Sequence, residues 1–363
     1  MSQRTRQFND AYRAFYTAHS SVDALLDVAD ATCSHRIPIH GRVLGLNTPL
    51  DKIMHRLNEG RRKGRGFRVS GNMPSLIEVP FKPSETSPHG GTAKAFLSPN
   101  SENLTAWLVG LRDDFAYLWS VLHLYLHSDI DVMYLKTNDF RQALRAMSEE
   151  NPNRNALICG YTANVLCDEG QRVKTRREWF PAEKSHVDFF AELDQERQWL
   201  RSVEIVLHGT ETARGRVKRD LAFSCQSGFR LFCSGVLKSL RERAVESRGI
   251  FQDRAVADNP THTSRPIQIS YDTNLFEDKK QNRRLIRVLR KLPDSALSVF
   301  HPNPFLHAAI VDYSDGSCYT IWITDNAAIA IIPGLRSTSG SLGRLCNHIN
   351  EHFGEGQIEE IRA

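Results

Sequence analysis

From Asp131 onward, short β-like runs alternate with amphipathic helical stretches, and this alternation limits the possible folds more than any other feature. Apolar runs rich in β-branched residues and bounded by turn signals predict strands, whereas apolar residues three or four apart predict helices. The order is typical of strand-helix-strand units, so we predict an α/β fold with a mixed sheet flanked by helices. The predicted strands cover residues 131–135, 156–162, 203–208, 267–271, 297–300, 307–313, 319–324 and 328–332. The predicted helices between them cover residues 140–149, 187–200, 216–246, 279–292 and 341–353.

Glycines indicate where a hairpin turn lies and where a predicted helix is interrupted. Asp315 and Gly316 separate two predicted strands and form the strongest hairpin signal in the chain, which predicts an antiparallel pair within the mixed sheet. Gly228 and Gly235 interrupt the helix predicted over 216–246, which indicates two helices or one kinked helix.

The N-terminal hundred residues follow a different pattern. Helices are predicted over residues 7–17, 22–31 and 49–58, and the proline, glycine and serine of residues 70–100 favour irregular structure or a linker. Ser101 is a suitable N-cap for a long helix, because apolar residues recur three or four apart from Leu104 to Leu122. We therefore predict a mostly helical and irregular region over residues 1–100 and an α/β domain over residues 101–363.

Composition narrows the class of protein. The chain has 363 residues, of which 40% are hydrophobic, and this is enough for a sizeable core. Its seven cysteines are scattered and odd in number, and the first residues lack the apolar core of a secretory signal, so we expect a reducing cytoplasm. No segment approaches the roughly 20 uninterrupted apolar residues that span a bilayer, so no membrane contact is expected. The sequence contains no GxxxxGK[ST], GxGxxG or GxSxG motif, and we predict no cofactor.

Positive charge is concentrated in three segments, although the formal net charge is only +5. The first segment, residues 60–68, carries Arg61, Arg62, Lys63, Arg65 and Arg68 among three glycines. Flexible glycines let guanidinium groups follow an irregular phosphate backbone, and Phe67 can stack on an exposed base. The alternative is a solvated loop with ordinary surface charges.

Of the other two basic segments, one is predicted to be helical and the other contains aromatic residues. Residues 284–291 place most of their charges on one face of a predicted helix, which is typical of an exposed face as well as of a phosphate contact. The third segment, residues 172–180, combines Arg172, Lys174, Arg176 and Arg177 with Trp179 and Phe180. Together the three segments predict a nucleic-acid-binding or adaptor protein, without catalysis of its own and with a protein partner subunit.

Candidate metal ligands are few. His123 and His127 stand four apart on the predicted long helix, which puts both imidazoles on one face, with Asp129 and Asp131 just beyond. The glutamate of an HExxH motif is missing, so structural or surface histidines are favoured over a metal site. The pairs Cys159/Cys167 and Cys225/Cys233 are spaced too widely for a zinc knuckle, and no metal is predicted.

His307 stands at the start of a predicted strand within an order of elements that runs from residue 265 to residue 353. This order resembles one half of a phospholipase D-like domain, whose strand carries H-x-K and then, after four intervening residues, an aspartate. In that comparison His307 is the histidine, Ala309 stands at the lysine position and Ser314 at the aspartate position. The resemblance implies that His307 is a nucleophile and that His208, at the end of another predicted strand, is its partner from a second half.

The same resemblance implies weakened chemistry. Without the lysine, phosphate charge stays unneutralised, and the loss of such an electrostatic donor removes about 3–4 kcal/mol of transition-state stabilisation. A non-catalytic copy is therefore expected, and the superfamily's nucleases imply a place in a bacterial defence or DNA-processing complex. The alternative is a metal-independent phosphodiesterase or nuclease that uses His307. A third hypothesis is a protein-interaction subunit with an exposed aromatic surface.

Overall fold

The structure is a computed structural model that describes residues 3–17, 19–62, 66–71, 73–81, 91–100, 104–167, 172–258, 261, 263–302 and 305–361. Lys63, Arg65 and Ser101 lie outside these residues, and only the backbone is described at Arg61, Arg62 and Arg172. Within the described ranges, every helix is too short or too polar to span a bilayer.

The first sheet is built from residues 39–227. Its strands are β1 (Ile39–Leu46), β2 (Arg68–Ser70), β3 (Ser75–Phe81), β4 (Gly91–Pro99), β5 (Thr105–Leu111), β6 (Ile130–Val132), β7 (Asn155–Cys167), β8 (Arg172–Ser185), β9 (Gln198–His208), β10 (Ala213–Lys218) and β11 (Ala222–Ser227). Their order is β2-β3-β4-β5-β1-β11-β10-β9-β7-β8, with β6 paired to β1. Helices on this sheet are α1 (Gln3–Phe15), α2 (Val22–Thr32), α3 (Leu50–Arg62), α4 (Arg112–Tyr125), α5 (Thr137–Glu150), α6 (His186–Gln195), α7 (Phe229–Phe232) and α8 (Lys238–Gln252).

The two faces of the first sheet differ in polarity. Successive side chains of a strand point to opposite faces, so Val203 and Val217 lie on one face, in a core shared with helices such as α5. On the opposite face, Leu44 of β1 and Leu108 of β5 form a second core with α3 and α4. Farther along that opposite face, β7, β9 and β10 carry the polar residues Thr162, Ser202, Arg216 and Lys218. An apolar helix face cannot pack favourably on this polar area.

The second sheet follows residue 260 and has its own core. Its strands are β12 (Ile267–Ser270), β13 (Ser295–His301), β14 (His307–Asp312), β15 (Cys318–Asp325), β16 (Ala328–Pro333) and β17 (Gln357–Glu360), in the order β13-β14-β15-β16-β12-β17. Helices α9 (Lys279–Leu289) and α10 (Ser339–Phe353) pack on one face, where Ala308 and Ile310 alternate with residues of the opposite face. The predicted hairpin at Asp315 and Gly316 is confirmed: it joins β14 to β15, and Gly316 has the positive φ of +77° that such turns require.

The first sheet with its helices forms one unit, and the second sheet with α9 and α10 forms another. Buried polar contacts attach the second unit to the first. Asp131 of β6 accepts hydrogen bonds from Arg248 of α8 at 3.1 Å and from Ser339 of α10 at 3.2 Å. Beside it, the backbone N–H of Thr137 donates to Glu355 at 2.7 Å. These contacts hold α10 over the polar area of the first sheet.

The α/β class is confirmed, but the arrangement of strands differs from a mixed sheet. Every pairing among the described strands is antiparallel. The predicted boundary at residue 100 falls between β4 and β5, which pair within the first sheet, and the change of sheet occurs between β11 and β12.

Three predicted segments were wrong. Within residues 70–100 the structure has β3 and β4 where we predicted a linker, and the helix expected from Ser101 begins at Arg112, after β5. Residues 216–246 are not one helix, because β10 and β11 occupy residues 213–227. Gly228 then precedes α7, and Gly235 lies in a π-helical turn between α7 and α8.

Candidate functional site

A cleft of about 790 Å³ lies between the polar area of the first sheet and α10. Its sheet wall consists of Thr162, Arg201, Ser202, Arg216 and Lys218, and its helix wall of Arg344, Asn347, His348 and Glu351. The rest of the lining comes from His123 and Leu124 of α4, from His127 just after it, from Tyr134, from the turn at residues 219–220, and from residues 292–294 and 313–314 next to the second sheet. Residues of both units therefore form the cleft.

A β-bulge brings Arg201 into this cleft. Thr162 pairs with Ser202 and Ala163 pairs with Leu200, so Arg201 has no partner on β7. In a regular strand Arg201 and Ser202 would point to opposite faces, but an extra residue in one strand re-aims a side chain. Both residues therefore line the cleft.

Positive charge dominates the lining. Arg201, Arg216, Lys218, Arg219 and Arg344 face three carboxylates, those of Asp220, Asp294 and Glu351. Asp220 is already paired with Arg42 at 2.7 Å. By contrast, no described carboxylate lies within 4.0 Å of the charged groups of Arg201, Arg216 or Lys218. Their charges are available to an anion.

Arg216 is held in place by hydroxyl groups. Its Nε donates to Ser202 Oγ at 3.1 Å and its Nη2 donates to Thr162 Oγ1 at 2.8 Å. The pKa of Arg216 is lowered, first by burial and then by the nearby positive charge of Arg177. The guanidinium is oriented without being neutralised, as a site for a bound anion requires.

Arg344 faces this wall from α10 and is paired. Its Nη2 donates to Asp312 Oδ2 and to Ser314 Oγ, both at 2.6 Å. Burial alone would lower the pKa of Arg344, but the negative charge of Asp312 outweighs it and the pKa is raised.

Two histidines of the cleft, His123 and His348, have lowered pKa values. The pKa of His123 is lowered to about 4, first by burial and then by the positive charges of Arg344 and Arg42. Burial also lowers the pKa of His348, whose Nε2 lies 2.8 Å from the Val288 carbonyl oxygen. Both rings can therefore donate or accept hydrogen bonds without carrying charge.

Of the first predicted basic segment, the structure describes the side chains of residues 66–68 only, and none of these lines the cleft. Phe67 is buried, 1% exposed, and its ring packs 5.0 Å from that of Tyr125, so the prediction that it stacks on a base was wrong. Arg68 is exposed on β2, at the opposite end of the strand order from β8. The first and third segments are therefore far apart on the sheet.

The third predicted segment, on β8, divides between two faces. Arg177 pairs with Thr162 and so lies on the cleft face, where Trp179 is 47% exposed. Lys174 and Arg176 alternate with it and point to the other face, where Arg176 forms an ion pair with Glu178 at 2.8 Å.

The second predicted segment, on α9, has the expected arrangement. Leu285, Ile286, Val288 and Leu289 are buried, and Arg287 and Arg290 are exposed. Neither arginine lines the cleft.

The two candidate catalytic histidines lie on different sheets with separate partners. The ring of His307 stacks on that of Trp322 at 4.2 Å, on the face of β14 opposite the core. His208 Nε2 lies 2.6 Å from Glu183 Oε2. Among the described residues, no contact joins the two histidines, and neither lines the cleft.

His123 and His127 do line the cleft, although α4 ends at Tyr125, between them. The described part of the chain holds no group of three or more side chains that could bind a metal ion.

Sequence reasoning missed most of the residues of this cleft. Arg214, Arg216 and Lys218 alternate with apolar or small residues, a period of two that predicts a strand with one charged face. That signal was available but was assigned to a helix. Arg201 and Arg344 carry no local signal, since a bulge and the packing of α10 place them.

Comparison with known proteins adds no assignment. No family model matches the sequence, and no curated protein matches it significantly. The function is therefore inferred from the cleft itself.

Proposed function

We propose that this chain binds single-stranded nucleic acid, with phosphate groups held in the basic cleft. The observation that supports the proposal is the set of three cations on the sheet wall, Arg201, Arg216 and Lys218, which have no carboxylate partner among the described residues. Guanidinium and ammonium groups free of carboxylates are the usual ligands of a phosphate backbone.

The size of the cleft favours one strand over a duplex. Its volume of about 790 Å³ is within the range of roughly 300–1,000 Å³ that encloses a small ligand. A cleft of this volume encloses a small ligand rather than a whole duplex, whose major groove alone is about 12 Å wide. A few nucleotides of a single strand fit this space, and the same cleft suits DNA and RNA.

The setting of the protein is also a proposal. All seven cysteines are free thiols, which suits a reducing cytoplasm. A protein partner and a place in a bacterial defence or DNA-processing complex stay predictions from the sequence. Cleavage by His307 also stays a prediction, and no contact of the cleft favours it.

Fluorescence anisotropy with a labelled twelve-nucleotide single strand tests the binding proposal. In one variant Arg201, Arg216 and Lys218 are all changed to Gln. The matched control changes Arg283 and Arg287 of α9 and Arg290, which follows it, to Gln. These exposed residues lie outside the cleft lining, and the three substitutions remove the same charge.

We expect the cleft variant to lose at least about 1,000-fold in affinity and the control less than about threefold, since charged hydrogen bonds contribute about 1.5–3 kcal/mol each and three such groups are removed. The slope of log Kd against log salt should fall by about 2 in the cleft variant, at about 0.7 per phosphate of a single strand. Equal losses in both variants, or tighter binding of a duplex than of the single strand, would contradict the proposal.

A further inference from the structure

Trp179 lies on β8 at the border of the cleft. It pairs with Gly160 of β7, two residues from the pair formed by Arg177 and Thr162, so its side chain lies on the cleft face of the sheet. Its side chain is 47% exposed, which is unusual for so large an aromatic group beside a polar site.

The indole lies across Gly160. A Cβ atom at Gly160 would lie 2.6 Å from Cε3 of Trp179, closer than real Cβ contacts allow, so a glycine is required beneath the ring. Covering a glycine in this way is a known structural role for an aromatic residue in a sheet. Covering Gly160 occupies one side of the indole ring, and another large apolar side chain would cover this glycine equally well.

Two guanidinium groups lie over the same ring at cation–π distances. The Cζ atom of Arg177 lies 5.1 Å and that of Arg216 lies 5.9 Å from a ring centroid of Trp179. Neither arginine has a described carboxylate within 4.0 Å, and Arg216 also lines the cleft. The indole is therefore next to Arg216 of the proposed phosphate site and to one further cation without a described carboxylate partner, Arg177.

We propose that Trp179 is a stacking platform for a base of the single strand where the strand leaves the cleft, with neighbouring phosphates at Arg177 and Arg216. This inference rests on the proposed function and adds the binding mode. Aromatic faces bordered by cations are the arrangement with which proteins hold single strands without reading their sequence. Trp179 is thus a binding residue, outside the set of cations that holds the strand in the cleft.

The test compares two labelled twelve-nucleotide strands, oligothymidylate and an abasic strand that has the same phosphates and no bases. Variant Trp179→Leu keeps an apolar cover over Gly160 but cannot stack, and Trp179→Phe keeps an aromatic ring. Trp322→Leu is the matched control, because Trp322 is also exposed but lies on the second sheet.

We expect Trp179→Leu to bind oligothymidylate about tenfold more weakly than the unmodified chain, and Trp179→Phe and Trp322→Leu to stay within about threefold. The abasic strand should bind all four proteins equally. Equal binding of oligothymidylate by Trp179→Leu and the unmodified chain, or the same loss on both strands, would overturn the stacking role alone. If the unmodified chain binds neither strand, the proposed function fails and this inference fails with it.

Discussion

Two groups of arginines lie between the two units, and they differ in what surrounds their charges. Arg248 of α8 is 7% exposed and donates to Asp131 Oδ2 through Nε at 3.2 Å and Nη2 at 3.1 Å, and to the Leu46 carbonyl oxygen. Arg201 and Arg216, on the cleft wall, have no described carboxylate partner and are in contact with the open cleft. The first arrangement holds elements together, whereas the second keeps charge available for a ligand.

Arg344 combines the two arrangements. It lines the cleft, yet it is paired with Asp312, which is 3% exposed. The difference between these arginines lies in their burial and in their partners rather than in residue type.

The largest effect is expected from Arg248→Ala. The substitution leaves Asp131 buried without its cation, and breaking a buried pair in this way costs about 3–5 kcal/mol. The free energy of unfolding, measured by urea titration, should fall by that amount. The control is Arg243→Ala on the same helix, whose exposed pair with Glu246 should contribute less than about 1 kcal/mol. Equal losses in the two variants would remove the distinction between anchoring and surface arginines.

The sequence indicates the second unit better than the first. Its strands and helices have strong periodic patterns, and the predicted segments 267–271, 307–313, 319–324 and 328–332 match β12, β14, β15 and β16 within a residue or two. These strands bury one face on α9 and α10, so alternation and apolar content agree.

The first sheet was harder to predict for physical reasons. Residues 75–81 and 91–99 are strands because they pair with each other and with β5, a long-range effect that outweighs their proline and glycine content. The cleft depends on contacts between units far apart in sequence, such as Arg344 of α10 facing Arg216 of β10. No local pattern contains that information.

Arg344→Ala should produce the second largest effect, because it tests the paired member of the cleft. In the unmodified chain, burial tends to raise the pKa of Asp312. The charge of Arg344 and the hydroxyl donors around Asp312 outweigh burial and hold that pKa below its usual range. Without Arg344, the buried carboxylate loses its cation, and we expect a loss of about 2–3 kcal/mol in unfolding free energy at pH 7.

The double variant Arg344→Ala/Asp312→Asn separates this effect from lost packing. Removing the carboxylate charge as well should restore part of the stability at pH 7, as measured by the same urea titration. A double variant no more stable than Arg344→Ala would show that the ion pair is not the cause.

Acidification should have a smaller effect through the neutral histidines. Burial and the charge of Arg112 lower the pKa of His40 to about 4, as burial and Arg344 do for His123. As the pH falls from about 6.5 to about 4, the unfolded chain takes up protons at these rings and the folded chain does not, so stability is lost across that range. We expect about 1–2 kcal/mol for each ring, after allowance for the solvent contact that both retain.

The double variant His40→Asn/His123→Gln isolates this contribution from that of the carboxylates. Its unfolding free energy should depend less on pH than that of the unmodified chain between pH 7 and pH 5. Parallel pH profiles for the two proteins would show that these histidines do not titrate as described.

The smallest expected effect links His123 to the ligand. Burial, and then the positive charges of Arg344 and Arg42, lower the pKa of His123, and Asp294 opposes them. A phosphate bound among these groups would cancel part of the positive field, so the pKa of His123 should rise in the complex and a proton should be taken up on binding at mildly acidic pH. Affinity for a single strand should therefore increase about two- to fivefold from pH 7.5 to pH 5.5.

Calorimetric titration in two buffers with different ionisation enthalpies measures this proton uptake directly. His123→Gln should bind the strand without the uptake, and its affinity should change less between the two pH values. If the unmodified chain and His123→Gln take up the same number of protons, the phosphate does not lie close enough to α4 to reduce the effect of Arg344 on the pKa of His123. The strand would then contact only the sheet wall, and the unpaired arginines of that wall would suffice for binding without the paired one on α10.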